Sequence, residues 1–448
     1  LPDRSKVFVR LFSTWRLMVP RTATTCRVGV VSGAMAGSGT GYSWTRERSA
    51  ALDRADPLRA VRDRFVVPEG VIYLDGHSLG ALPGAVAARV AEVIEQEWGT
   101  GLVRNWDTWM SEPSRVGDKI ARLIGARAGE VIVVDTTTIA LAKLLGAALA
   151  ARPDRRVIVT TAANFPSDLY AADGVARLFD VEVRHVDAAG LAAALDESVA
   201  VLMLTHVDFR TGAMFDMGAL TTAAHEVGAL TVWDLCHSVG AVAVDCERDA
   251  VDLAVGCCYK YLNAGPGAPA FVYVRRELQG SLVNPLPGWL GHETPFDFAA
   301  SFRPASGIRR FVTSTPSVLG LAALDAALDA WEGVTTEAVR AKSVALSELF
   351  IEAVLERAGD ELELASPRAS ERRGSHVSLR HPEGYAVVQA LIARGVVGDF
   401  RAPDLCRFGF APLYLRFTDV FDAAEAVVDV VSSHQYEAEI HSVRRQVT

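Results

Sequence analysis

The chain has 448 residues, half of them hydrophobic, enough for a large core and a second, smaller lobe at roughly 100–200 residues per domain. A net charge of −9 without a basic run argues against nucleic acid or an anionic membrane as the main partner. No apolar run reaches the roughly 18 residues of a membrane-spanning helix, since IALAKLLGAALAA is interrupted by Lys143, and the reading is a cytoplasmic protein.

Residues 1–50 are Arg-rich, nearly free of acid before Glu47 and without apolar periodicity, and read as a disordered or spurious extension. A start at Met35 is one alternative; a targeting leader ending in VGVVSGAMA is another, although its apolar core is short for a signal peptide. From residue 51 the pattern turns helical, and VIYLDGHSLGALP reads as a strand running into a Gly-punctuated loop. In that loop Ser78 is a candidate ligand contact, and His77 reads as a surface or hydrogen-bonded histidine. The next helix carries Val86, Val90, Val93, Ile94 and Trp98 on one face. Trp98, Trp106 and Trp109 surround Arg104 in sequence, either as core or as the wall of an aromatic pocket.

SRVGDKIARLIGA is an amphipathic helix, EVIVV a strand, and DTTTIALAKLLGAALA a helix opening on Asp135, Thr136, Thr137 and Thr138. Hydroxyls and free N–H groups at a helix start form an anion site or an ordinary cap. The alternation continues through RVIVT, NFPSD and its helix, VEVRHV, VAVLMLT, the loop HVDFRTGAMFD, ALTTAAHEVG, ALTVWD and VDLAVGCC. Repeated βα units imply an α/β fold, a three-layer, mostly parallel sheet with helices on both faces, over residues 51–332. NPLPGWLGHETPFDF reads as a long functional loop. From residue 333 to 448 a long helix, the strands SHVSLR and VVGDF, and a final helix after TDVF make a smaller α+β domain, with Arg407 near its middle strands.

Several strand ends carry aromatic or polar groups: Phe165 and Asp168, Thr205 and Asp208, Asp234 and His237, and Lys260, the way an α/β cofactor pocket is assembled. The five lysines are Lys6, Lys119, Lys143, Lys260 and Lys342. Lys6 sits in the extension, and Lys119, Lys143 and Lys342 fall in helical patterns and read as solvated or snorkelling charges. Lys260 alone follows a buried strand and stands between Tyr259 and Tyr261 before a Gly-Pro-Gly loop. Desolvation there favours Schiff-base chemistry, with Asp234 holding a pyridine nitrogen protonated. A buried Asp–Lys ion pair is the alternative these two residues leave open. The cysteines at 26, 236, 246, 257, 258 and 406 have no metal-ligand spacing and read as reduced core thiols.

From about residue 52 to its end the sequence resembles the kynureninase family of fold-type-I pyridoxal phosphate enzymes. The motifs are YLDGHSLGALP, WGTGLVRNW, RVGDKIARLIGA, NFPSDLY, WDLCHSVGAV, YKYLNAGPGAPAFVYV, GWLGHETPFDF, FVTSTPSVLGLAALDAAL and RFGFAPLY, in the family's order. The resemblance implies pyridoxal 5'-phosphate as cofactor, joined to Lys260 and held at its pyridine nitrogen by Asp234. It implies Phe165 stacked on the ring, with Pro166, Ser167 and Asp168 beside it, and Thr205 and His237 completing the shell. Thr137 and Thr138 would hold the phosphate, helped by Tyr259, which is also the candidate proton shuttle. Trp289 and Thr315 would enter from the partner subunit of a homodimer. Arg407 would clamp the substrate carboxylate, with Ser78, His77 and Thr315 on the substrate side. The implied reaction is hydrolytic Cβ–Cγ cleavage of L-kynurenine, or its 3-hydroxy derivative, to anthranilate or 3-hydroxyanthranilate and L-alanine, in tryptophan catabolism. His77 departs from the usual asparagine of the G-N-S-L-G loop, and Cys258 from the usual serine before Tyr-Lys.

A cysteine desulfurase of the same superfamily needs a nucleophilic cysteine on a mobile loop and usually has His before the lysine; here Tyr259 precedes it and Cys406 lies in a strand-like run. A non-catalytic cofactor-binding regulator is a second alternative, without a DNA-binding module to support it. No G-x-G-x-x-G follows the early strands, against a nicotinamide enzyme.

Overall fold

Continuous runs of β-branched residues form the centre of the computed structural model, which describes residues 44–444. The strands are β1 Val131–Val134, β2 Val157–Thr161, β3 Glu182–Val186, β4 Val199–Thr205, β5 Leu230–Asp234, β6 Leu253–Cys257 and β7 Ala270–Val274. Their order is β1-β7-β6-β5-β4-β2-β3. Every residue of β1, β2, β4, β5, β6 and β7 is buried, as strands covered on both faces require. The pairs from β6 to β3 are parallel. β7 runs antiparallel to both its neighbours, β1 and β6, so the carboxyl ends of β1, β2, β4, β5 and β6 share one edge.

Alternate side chains of β1 serve opposite layers, as the pleat dictates. Val131 and Val133 join the core that includes helix α3 (Trp106–Leu123), after α1 (Arg46–Ala55) and α2 (Gly84–Glu92). Ile132 and Val134 join the core of α4 (Thr137–Ala150) and α5 (Pro166–Phe179). α6 (Met217–Glu226) precedes β5, and α7 (Val318–Leu328) packs with the first layer.

A second sheet follows α8 (Thr336–Ala358): β8 Glu363–Leu364, β9 His376–Arg380, β10 Asp399–Arg401 and β11 Leu405–Gly409, in the antiparallel order β8-β9-β11-β10. Helices α9 (Gly384–Ala393) and α10 (Phe417–Ser432) complete this part. VVGDF reads as one strand in sequence but divides at Gly398. Val396–Val397 pair in parallel with Ile72–Tyr73, whereas Asp399–Arg401 join β11. A side chain at Gly398 would run into the Arg407 carbonyl at 2.7 Å, so only glycine lets the backbone pass there. Gly409 N–H donates to the Leu74 carbonyl at 2.6 Å, so the 72–80 segment is held between the two sheets. Among the described residues no helix is long and apolar enough to cross a membrane. The extension expected over 1–50, with Met35, Lys6 and Cys26, lies mostly outside the described residues; α1 starts within its last positions, capped by Thr45.

Two lysines expected to be solvated are buried. Lys143 is fully buried, its Nζ donating to Asp135 Oδ2 at 2.6 Å, Thr313 Oγ1 at 3.0 Å and the Phe311 carbonyl. Lys342 pairs with buried Asp56 at 2.7 Å, while Lys119 bridges Asp325 and Asp329. Their helices are covered on nearly all sides, so helical spacing alone does not put these charges in water. Asp135, at φ 49°, turns the chain out of β1 into the threonines of α4, and Lys143 ties that turn to the 311–313 segment. Lys143→Ala is expected to cost about 3 kcal/mol, the low end for breaking a buried pair because Asp135 keeps some solvent contact. Urea unfolding checks this; an unchanged midpoint would count against the turn being held by that pair.

Candidate active site at the strand ends

The common carboxyl edge of the sheet borders a cavity of about 460 Å³. β1 leads into Thr136, Thr137 and Thr138, β2 into Phe165, Ser167 and Asp168, β4 ends on Thr205, β5 on Asp234 with Cys236 and His237 next, and β6 is followed by Tyr259 and Lys260. Ser78, Leu79, Phe209 and the turn Pro266–Ala268 close it. Gly80 N–H donates to the Tyr259 carbonyl at 2.8 Å, and a Cβ on Gly80 would strike the Lys260 carbonyl; glycine is needed to bring Ser78 and Leu79 this close.

Asp168 and Asp234 are both buried in the floor. Burial, then the neighbouring Asp234 carboxylate, pushes the Asp168 carboxyl well above its ordinary value, and the Thr205 hydroxyl, donating at 3.2 Å, offsets this in part. Asp234 Oδ1 accepts the Cys236 N–H at 2.6 Å. Two neighbouring buried acids suit a positively charged partner, and a protonated heteroaromatic nitrogen supplies one.

The threonine end of α4 offers the complementary feature. Thr136 is its N-cap, in extended conformation, and no side chain caps the first N–H groups. Unfilled helix-start donors beside two hydroxyls suit a phosphate. Phe165, 38% exposed, presents a ring to the cavity and meets Phe209 edge-on at 5.1 Å. Lys260 Nζ lies 5.9 Å from the Phe165 ring centre and 3.1 Å from His237 Nε2. That ring nitrogen is also 3.1 Å from the His77 carbonyl. Acids, phosphate cradle, flat stacking face and amine together fit pyridoxal 5'-phosphate.

Five residues assigned by resemblance stand outside the cavity wall. Pro166 opens α5 behind it. Trp289 packs edge-on against Trp106 at 6.0 Å and Phe296 at 5.8 Å, and Thr315 lines an adjoining cavity that shares Thr136 and Gly267 with this one. Arg407 is buried behind Phe209, donating from Nε to Asp399 Oδ1 at 2.7 Å and from Nη1 to the Phe209 carbonyl. His77, expected to be a surface or hydrogen-bonded loop histidine, is fully buried and stacked on His376 at 5.1 Å, because the 72–80 segment is clasped by β11. The tryptophans differ too. Trp98 and Ile94 are exposed where α2 widens after Glu92, and Arg104 binds the Gly101 and Thr100 carbonyls instead of a ring.

Sequence reasoning passed over Leu79, Phe209, Cys236 and the Pro266–Ala268 turn as cavity wall. The described cysteines are buried and unpaired. Burial pushes the Cys406 thiol up to about 12, and its Sγ faces the Gly384 carbonyl at 3.3 Å, which does not suit a nucleophile.

Buried histidines make an acid-sensitivity prediction. Burial, above all, lowers His77 and His206 to about 4, and His237 and His376 shift the same way. A folded-state value below the unfolded 6.5 means the unfolded chain takes up protons first. Stability present above pH 6.5 is therefore lost as pH falls toward 4, by about 2 kcal/mol at pH 5 for each of His77 and His206. Urea midpoints of cofactor-free protein at pH 7 and pH 5 test this; equal midpoints would refute it.

The kynureninase C-terminal domain profile matches residues 339–427, and that of the DegT/DnrJ/EryC1/StrS aminotransferase family matches residues 95–253. The chain is 49% identical to the kynureninase of Burkholderia pseudomallei (strain K96243) over 414 residues, covering 90% of this chain and 100% of that protein. The kynureninase of Pseudomonas fluorescens is 48% identical over the same spans. Among solved structures, the apo cysteine desulfurase from Thermococcus onnurineus NA1 superposes with a TM-score of 0.72 at 19% identity, covering 84% of this chain and 98% of that one. A C-DES mutant with glycine linked to its PLP cofactor gives 0.70 at 18%, covering 82% and 98%. These two likenesses concern the fold.

Proposed function

The chain belongs to the kynureninase family, and from that premise we propose that it cleaves the Cβ–Cγ bond of L-kynurenine hydrolytically, giving anthranilate and L-alanine. The observation that carries the reading within the molecule is the meeting of Lys260, the Asp168–Asp234 pair and the open threonine end of α4 around one cavity. Pyridoxal phosphate, when bound, draws electrons from the amino acid attached to it, so that protons on Cα and then Cβ become removable.

The chain's own groups do the rest. Thr137, Thr138 and the N–H groups of α4 would hold the phosphate, assisted by Tyr259. Asp234 would keep the ring nitrogen protonated and Phe165, flanked by Pro166 and Ser167, would supply a stacking face. Lys260 Nζ, which would hold the cofactor covalently, would also be placed to take the proton from the substrate's Cα. Water adds to the γ-carbonyl; its oxygen leaves in the carboxylate of anthranilate, and Cβ gains a proton, from Tyr259 in this reading, to become the methyl of alanine. Arg407 takes the substrate carboxylate, with Ser78 and His77 on the same side.

Trp289 and Thr315 complete the site from a second copy. The support is an exposed apolar stretch, Trp98, Leu102 and Val103, together with Phe296 and Phe298 beyond Trp289, which suits a homodimer. A cytoplasmic location and a division into a cofactor lobe over 51–332 and a smaller lobe over 333–448 belong to the same proposal.

The test is to incubate cofactor-loaded protein with L-kynurenine and follow anthranilate fluorescence; no product would sink the reading. Comparing kcat/KM for kynurenine and 3-hydroxykynurenine assigns the physiological ring.

A further inference from the structure

Behind the cavity wall one carboxylate gathers the groups assigned to the substrate. Asp399 is 1% exposed. Arg407 donates to it twice, from Nε to Oδ1 at 2.7 Å and from Nη2 to Oδ2. Ser78 Oγ donates to Oδ2 at 2.8 Å, Arg401 Nη2 reaches the same oxygen at 2.8 Å, and His77 Nε2 stands 3.4 Å from Oδ1. Burial alone would raise this carboxyl, but the His77 ring and the Arg407 guanidinium outweigh burial and hold it well below the usual carboxylate range.

A guanidinium has five N–H groups in a rigid fork. Asp399 takes two of those on Arg407 and the Phe209 carbonyl a third, so one N–H on Nη1 and one on Nη2 remain. Phe209 and Ser78, both tied to this cluster, are themselves cavity wall. Without the Asp399 charge, half-buried Arg401 and buried Arg407 would be left with like charge and no acid between them; burial, then Arg407, already lowers Arg401.

We propose that Asp399 is the positioning residue of the carboxylate clamp: it fixes the plane of Arg407 and the direction of the Ser78 hydroxyl, so that the remaining Nη1 and Nη2 donors meet the α-carboxylate of the incoming amino acid. This rests on the reading of Arg407 given above. Asp399 touches neither substrate nor cofactor and acts through its two neighbours. Its contribution therefore belongs to recognition of the carboxylate and leaves the bond-breaking steps alone.

The experiment compares holoenzyme variants on two ligands, L-kynurenine and its decarboxylated amine, which keeps the ketone, ring and amino group. Asp399→Asn is expected to raise KM for kynurenine by about tenfold or more, the loss of one charge-assisted contact, with kcat within about threefold. Affinity for the decarboxylated amine, read from the cofactor's absorbance change, stays as in the wild type. In an Arg407→Ala background Asp399→Asn adds nothing further. Equal weakening toward both ligands, an unchanged KM, or additive losses would overturn the proposal. Should the asparagine variant not fold, Asp399→Glu, which keeps the charge and displaces it by one methylene, is expected to show a smaller rise confined to kynurenine; an effect shared by both ligands overturns the role there as well. If Arg407→Ala itself leaves KM unchanged, the clamp reading falls and takes this role with it. If Arg407→Ala raises KM and Asp399→Asn does not, the positioning role alone falls.

Discussion

Lys260→Ala is expected to lower kynurenine turnover by at least about 10³-fold and to remove the visible absorbance of a lysine-bound cofactor, because one side chain serves as both the covalent anchor and the proton carrier. The fold should survive the change. Lys260 is only partly buried, its hydrogen bond goes to His237, and its neighbours Tyr261 and Leu262 supply the core contacts on that turn. The structure separates it clearly from Lys143, which is more deeply buried but engaged by three oxygens and therefore structural. A Lys260→Ala protein that folds, takes up cofactor and keeps more than about a tenth of wild-type turnover would remove lysine from both roles.

Asp234→Asn is expected to cost about 10²–10³ in kcat, the range for losing a preorganised charge at a reacting centre. The substitution is isosteric, and an amide oxygen can still accept the Cys236 N–H. Its second consequence has the opposite sign. With one of the two buried acids neutral, burial still raises Asp168 but the repulsion that adds to it is removed, so cofactor-free Asp234→Asn should unfold at higher urea than the wild type. Asp168→Asn relieves the same repulsion and is expected to slow turnover less. Should Asp168→Asn prove the more damaging of the two, the carboxylate facing the ring nitrogen has been assigned to the wrong strand.

How much of this was readable beforehand depends on whether a residue's role is local. Asp234, Lys260 and Thr136–Thr138 stand where a buried apolar run stops, and a charge or hydroxyl in that place is conspicuous in one dimension. The reversed direction of β7 was not readable, because AFVYV is a buried apolar run like the parallel strands of the sheet and only the turn after Lys260 sets its sense. His77 gave no sign of burial, since β11, which covers its loop, lies more than three hundred residues downstream. Asp399 was missed inside VVGDF, yet a signal existed: Arg407 lies within an apolar strand, and a buried guanidinium requires a carboxylate from somewhere. Lys143 and Lys342 were misjudged for a related reason, because their partners, Asp135 and Asp56, come from turns outside their own helices.

The clasp between the two ends of the chain also has a consequence for synthesis. Ile72–Tyr73 pair with Val396–Val397, and Leu74 bonds to the Val397 carbonyl and the Gly409 N–H, so contacts of very high sequence separation lead into the loop that carries Ser78. The strands from β1 to β7 can pair while the ribosome is still extending the chain, whereas this loop must wait until nearly the last residues have emerged. A nascent chain would thus present the threonines, acids and lysine before the segment leading to Ser78 has its strand partners, and a truncation ahead of residue 396 would remove those partners altogether.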